Sequence, residues 1–148
     1  MREIKMKEYL KKFEEICRQH GIKVTPQRLA IYRELLTSKD HPSAVNIYEK
    51  VKEYFPHISL DTVNRTLLLF ADLGLAQIIE GRGDPKRFDP NLSPHHHFRC
   101  IKCGRIIDFY CQEYDQLKVP EDLQKKYIIT RMRVNIEGIC DECQKKTS

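Results

Sequence analysis

The chain has 148 residues, a net charge of +5 and 41% hydrophobic residues. That is enough for one packed domain or two small ones, and too mildly basic for charge alone to require or exclude nucleic acid. The opening stretch, MREIKMKEYLKKFEEICRQHG, is charged throughout with no apolar h-region, and the longest apolar run, LLLFA, is far too short to cross a bilayer, so a cytoplasmic chain with no membrane partner is the expectation.

Leu10, Phe13, Ile16 and Cys17 fall at helical spacing and predict a first helix that Gly21 ends. VTPQRLAIYRELL predicts a second, with Thr25 as N-cap, Pro26 at the first helical position, and Leu29, Tyr32 and Leu35 or Leu36 as its buried stripe. HPSAVNIYEKVKEYF predicts a third, capped by Ser43, with Ala44, Ile47, Tyr48 and Val51 inward. HISLDTVNRTLLLFADLG predicts a fourth: Ser59 caps it, Val63, Leu67 and Phe70 face the core, and Gly74 stops it. LAQIIE, GRGDP and KRFD then read as a β-hairpin.

Three helices, a fourth that opens with polar residues, and a hairpin make the order of a winged helix-turn-helix. The start of the fourth helix would enter a major groove. Thr62, Asn64 and Arg65 lie off its apolar stripe and can reach base edges or phosphates; the plain alternative is a solvated helix face.

PNLSP, beginning at Pro90, reads as a hinge. This divides the chain into a DNA-binding domain over 1–90 and a second domain over 91–148. In the second, HHFRC and GRIIDFY alternate like strands, EYDQLKVPEDLQKKY is helical with a break near Pro120, and YIITRMRVNIEGIC reads as one long strand. The expected class is α+β: a winged helix followed by a small α+β domain stapled by zinc. Six cysteines decide the staple. Cys100 and Cys103 form one Cys-x-x-Cys, Cys140 and Cys143 another, and two such turns facing each other complete a tetrahedral sulfur site suited to zinc. Two redox dithiols are the alternative. Cys17 and Cys111 read as packing residues.

Taken together, TPQRLAIYRELL, HPSAVNIY, SLDTVNRTLLLF, RFD, HHHFRCIKCGRIIDF and the closing CDEC resemble the ferric uptake regulator family over residues ~10–143. The resemblance implies a homodimeric repressor of double-stranded operator DNA, with an N-terminal winged helix and a C-terminal dimerisation domain. It implies structural Zn(2+) on Cys100, Cys103, Cys140 and Cys143. It also implies a regulatory metal between the domains, held by His41, Asp89, His95, His97 and Asp108. Three imidazoles and two carboxylates suit Fe(2+) or Mn(2+). His95 and His97, two apart on a strand, share a face, while His96 would point away to the surface. Ligands on both sides of a hinge would couple metal to DNA binding.

Within the family, Asp108 (where iron regulators usually carry glutamate), Asp89 and the closing GICDEC resemble the peroxide-sensing branch. The additional metal site of many iron-type members falls near Pro94, His96, Asp115 and Met132, and proline and methionine ligate poorly. The resemblance then makes His41 and His95 the oxidation-sensitive imidazoles, with cysteines no part of the sensor. Asn64 stands where the family commonly has tyrosine, so the operator sequence does not transfer. Lys23 matches a lysine near the minor groove. The rival readings are an iron-responsive regulator, an Fe(2+) enzyme, and a zinc-stabilised interaction module that binds no DNA. The chain is not read as an enzyme, because five ligands leave little room for a cosubstrate.

Overall fold

A computed structural model describes residues 3–38, 41–79, 85–91, 93, 95–129 and 132–146. The chain forms two compact units, residues 1–92 and 93–148. In the first, helix α1 (Glu3–Gln19) is followed by α2 (Pro26–Thr37), α3 (Ala44–Val51) and α4 (Leu60–Asp72), and then by strands β1 (Gln77–Ile79) and β2 (Arg87–Asp89).

The helices begin where the sequence marks them. The side chains of Thr25, Ser43 and Ser59 each accept the backbone N–H three residues on, satisfying one orphan donor at the start of α2, α3 and α4. Asn46 completes a reciprocal pair at α3 by accepting from the Ser43 N–H at 3.0 Å. The expected third helix is too long, however. It stops at Val51, and residues 52–54 turn, with Tyr54 N–H donating to the Val51 carbonyl at 3.0 Å. Pro56 explains the stop, because its ring disfavours helical backbone at Phe55. Ile58, buried between α3 and α4, fills the corner so created.

The core of this unit is an aromatic cluster. Phe13 of α1 stacks on Tyr32 of α2 at 4.6 Å, and Phe70 of α4 meets each ring edge-on at 5.5 Å. Aromatic pairs favour these offset and edge geometries. Ile31, Leu35, Ile47, Val51, Val63 and Leu67 fill in around them, with Phe88 of β2 closing the wing side. β1 and β2 pair antiparallel, Gln77 opposite Asp89; the expected turn over GRGDP falls largely on 80–84, outside the described residues. These elements make a winged helix.

In the second unit, β3 (His96–Cys100) pairs antiparallel with β4 (Ile106–Phe109) and parallel with β5 (Asn135–Gly138), in the order β4-β3-β5. A parallel neighbour cannot be reached by a tight turn. The chain from Tyr110 to Val134 makes that crossover and carries the short helices α5 (Gln112–Asp115) and α6 (Glu121–Lys126); α7 (Asp141–Lys146) follows β5. The crossover accounts for the long gap between the two cysteine pairs. The expected long strand over YIITRMRVNIEGIC is corrected to four residues. Its pairing with β3 starts only at His97 opposite Asn135, β3 itself starting at His96, and Ile128 and Ile129 stand exposed outside any strand.

Candidate metal centres and nucleic-acid interface

The first Cys-x-x-Cys turns off the end of β3. Gly104, at φ +77, takes the left-handed backbone there, its N–H donating to the Cys100 carbonyl at 2.9 Å. The second pair straddles the start of α7. Gly138, two residues before Cys140 and opposite Cys100 in the register, runs so close to Phe98 that an added Cβ would sit 3.0 Å from the ring. The four sulfurs consequently lie within 4.8 Å of one another, and Cys103 and Cys140 Sγ are 3.8 Å apart. A zinc tetrahedron with Zn–S near 2.3 Å has edges of about 3.8 Å, so the donor set fits that ion.

The backbone prepares the sulfurs. N–H groups of Cys103 and Cys140 donate to Cys100 Sγ at 3.5 and 3.4 Å and hold its thiol down at about 6. Cys143 is pushed up to about 12, first by its hydrogen bond to Cys140 and then by burial. Four sulfurs at this spacing cannot all be thiolates without a cation among them. Arg105, exposed, ties the two turns by an ion pair to Asp141 at 3.2 Å. Cys17 is a core residue whose thiol burial pushes up, and Cys111 is half-buried at the start of α5.

Each unit contributes imidazole and carboxylate residues. In the first, the run before α3 lies along β2: Phe88 N–H donates to the Pro42 carbonyl at 2.9 Å, and Ser43 bridges to Arg87. That brings His41 Nε2 to 3.5 Å from Asp89 Oδ2, while Asp89 Oδ1 accepts from the Asn91 N–H at 2.9 Å. In the second, the register sets His97 directly across from Asp108. His97 Nε2 lies 3.2 Å and His95 Nε2 3.8 Å from the same Asp108 oxygen, and the two rings meet edge-on at 4.7 Å. Both histidines are buried. Tyr110, absent from the sequence reading, lies on this face, its ring 6.0 Å from that of His95. Its spacing of two from Asp108 was the available signal.

His96 does not reach the surface as expected. It is 2% exposed; Nε2 is 2.8 Å from Asp115 Oδ1, and Nδ1 accepts the Val134 N–H at 2.9 Å. Alternation does turn it away from His95 and His97, but that side of β3 is covered by α5 and by the run into β5.

On α4, Thr62, Asn64 and Arg65 are all exposed, opposite buried Val63, Thr66 and Leu67. Thr62 Oγ1 accepts from Ser59 Oγ at 2.9 Å, and Arg65 pairs with Asp61 at 3.0 Å. Lys23 is exposed just before α2, its carbonyl held by the Arg28 guanidinium at 2.7 Å. No helix among the described residues is long and apolar enough to cross a membrane.

Residues 19–137 match the ferric uptake regulator family. The peroxide-responsive repressor PerR of Staphylococcus epidermidis is 36% identical over 129 residues, covering 87% of this chain and 86% of that protein. PerR of Staphylococcus aureus is 37% identical over 129 residues, covering 87% of each. Among solved structures, the Helicobacter pylori ferric uptake regulator Fur has a TM-score of 0.76 at 21% identity and 93% coverage of both chains, a likeness of fold. PerR from Streptococcus pyogenes has a TM-score of 0.52 at 30% identity, covering 90% of this chain and 91% of that one. A winged helix, a four-cysteine cluster and histidines converging on Asp108 thus occur in a chain whose sequence matches over most of its length, and the chain belongs to the ferric uptake regulator family.

Proposed function

We propose that this protein is a cytoplasmic, homodimeric, metal-dependent repressor that binds operator DNA through α4 and releases it on exposure to peroxide. The observation that carries the reading is the convergence of His95 and His97 on Asp108, apart from a separate four-sulfur cluster. One donor set is hard and mixed, the other all thiolate, and they suit different metals. Cys100, Cys103, Cys140 and Cys143 hold structural zinc. His41, Asp89, His95, His97 and Asp108 hold Fe(2+) or Mn(2+). With a hinge near residue 90, His41 and Asp89 belong to the first domain and the other three ligands to the second, so a metal held by all five would favour one arrangement of the recognition helices.

Bound Fe(2+) supplies one-electron reduction of peroxide, which Mn(2+) does not. His41 and His95 would be the imidazoles oxidised, one peroxide oxygen entering the ring and the other leaving as water. An oxidised ring is a poor donor, so losing either one removes a tie on which the DNA-binding arrangement depends. On the DNA side, Arg65 and Lys23 supply phosphate contacts, and Thr62 and Asn64 face base edges, an amide being suited to adenine. The relatives' peroxide response supports the same reading.

The deciding experiment is a mobility shift with genomic fragments. Fe(2+) and Mn(2+) should both support binding, and micromolar peroxide should release the iron form alone, with one oxygen added to His41 or His95 by mass spectrometry. An iron form that stays on DNA with unmodified histidines points instead to an iron-responsive repressor. No metal-dependent shift at all points to an interaction module.

A further inference from the structure

We propose that His96 is a positioning residue for the regulatory metal, acting from the opposite face of β3. The inference rests on the reading of His95, His97 and Asp108 as ligands of that metal.

The hydrogen bonds of His96 fix its chemistry. The Val134 N–H can only donate, so Nδ1, 2.9 Å away, must offer a lone pair. The ring proton is then on Nε2, which donates to Asp115 Oδ1 at 2.8 Å. Both nitrogens are engaged, and a third partner could be taken only by breaking one of these bonds. Phe109 and Tyr114 pack against the ring at 5.7 and 5.6 Å, Tyr114 edge-on. This single buried imidazole therefore joins three segments: β3, the run into β5, and the end of α5.

Its place in the register gives the joint a consequence. His96 stands opposite Phe109, and His97 opposite Asp108. The ligand pair and the clamped pair are adjacent rungs of one ladder. Rolling β3 about its axis would carry His95 and His97 together off Asp108, and would have to break both His96 bonds to do so. A site that needed only apolar filling between Phe109 and Tyr114 would be met by leucine or phenylalanine. A doubly hydrogen-bonded ring adds orientation, which is what flanking ligands require.

The test uses the full-length, zinc-loaded dimer titrated with Mn(2+), followed by the electron paramagnetic resonance of free and bound ion. His96→Ala should raise the Mn(2+) dissociation constant by about 10–100-fold, the usual cost of removing a group that orients a ligand, and should alter the bound-ion spectrum. Zinc content and dimerisation should be unchanged. His96→Asn, which keeps an acceptor near the Val134 N–H, should lose less. Asp115→Asn keeps an oxygen for the Nε2 proton and should bind Mn(2+) close to wild type, whereas Asp115→Leu should resemble His96→Ala.

Unchanged Mn(2+) affinity in His96→Ala would overturn the proposal. So would loss of zinc or of the dimer in both His96 variants, which would make the role one of folding. A second Mn(2+) bound by wild type and lost in His96→Ala would make the pair a metal site rather than a brace. A wild type that takes up no Mn(2+) overturns the proposal together with the reading beneath it, and the wild-type titration separates that failure from the others.

Discussion

A carbonyl oxygen selects the tautomer of His95. Its Nδ1 lies 2.6 Å from the Ser93 carbonyl and so carries the proton, leaving Nε2 as the lone-pair nitrogen on the side of Asp108. Asp108 is short and faces His97 across the ladder, so an added methylene at this position would change how its oxygens reach the metal proposed there. Asp108→Glu should keep Mn(2+)-dependent DNA binding and blunt release by peroxide, read by mobility shift on the iron form; full peroxide sensitivity would separate carboxylate length from sensing. A different residue adds an alkaline pH dependence to the fold. Burial, then Tyr9 and Cys17, push the Tyr32 phenol from 10.0 up to about 12. The folded value lies above the unfolded one, so the contribution of the neutral phenol is complete below pH 10 and is lost as pH rises toward 12. Denaturant midpoints should fall over that window, and Tyr32→Phe should flatten the fall; an equal fall in both proteins would remove Tyr32 from the account. What the sequence showed at this scale was alternation: it separated His96 from its neighbours. It did not show what covers His96, because α5 reaches it only through the crossover to a parallel strand.

Elements were most legible where a local rule sets them. Thr25, Ser43 and Ser59 each accept a backbone N–H, and their positions were readable because capping depends on a few neighbouring residues. The ends of α3 and β5 were misread because apolar character continues past each of them: Tyr54 and Phe55 in one case, Ile128 and Ile129 in the other. Pro56 ends the helix, and among the described residues β5 pairs with β3 only from Asn135; only the first of these is a sequence signal. Along α4, buried Val63, Thr66 and Leu67 hold the opposite face outward. Arg65 there pairs with Asp61, but both side chains are largely exposed, at 79% and 66%. Such a pair stabilises the fold by little, so the guanidinium can leave it for a phosphate at small cost. Arg65→Ala should weaken operator binding and lower the slope of log affinity against log salt by about one, while leaving the thermal midpoint nearly unchanged. An unaltered salt slope, measured by fluorescence anisotropy, would take Arg65 away from the phosphate backbone.

At the scale of the molecule, the two units are held by different forces. The first buries Phe13, Tyr32, Phe70 and the aliphatic residues around them in one apolar cluster. In the second, the buried apolar cluster among the described residues is Cys100, Cys140 and Cys143 with part-buried Phe98, and α5 and α6 bury no side chain. A core that small needs a staple, and the four-sulfur set is the one proposed. Leu117, Leu123, Tyr127, Ile128, Ile129 and Ile136 meanwhile remain exposed in this unit, apolar surface that the second copy of the proposed homodimer would cover. Zinc and dimerisation should therefore fail together. Cys100→Ser removes a donor whose sulfur two backbone N–H groups already favour as thiolate, and three ligands cannot close a structural tetrahedron. The variant should lose its zinc by elemental analysis and sediment as a monomer, yet keep most of its far-ultraviolet helical signal, since α1 to α4 lie in the other unit. Phe13→Ala should do the reverse, costing the first unit about 3–5 kcal/mol with zinc retained. A Cys100→Ser protein that stays dimeric without zinc would mean that the apolar surface, not the metal, holds the second unit together.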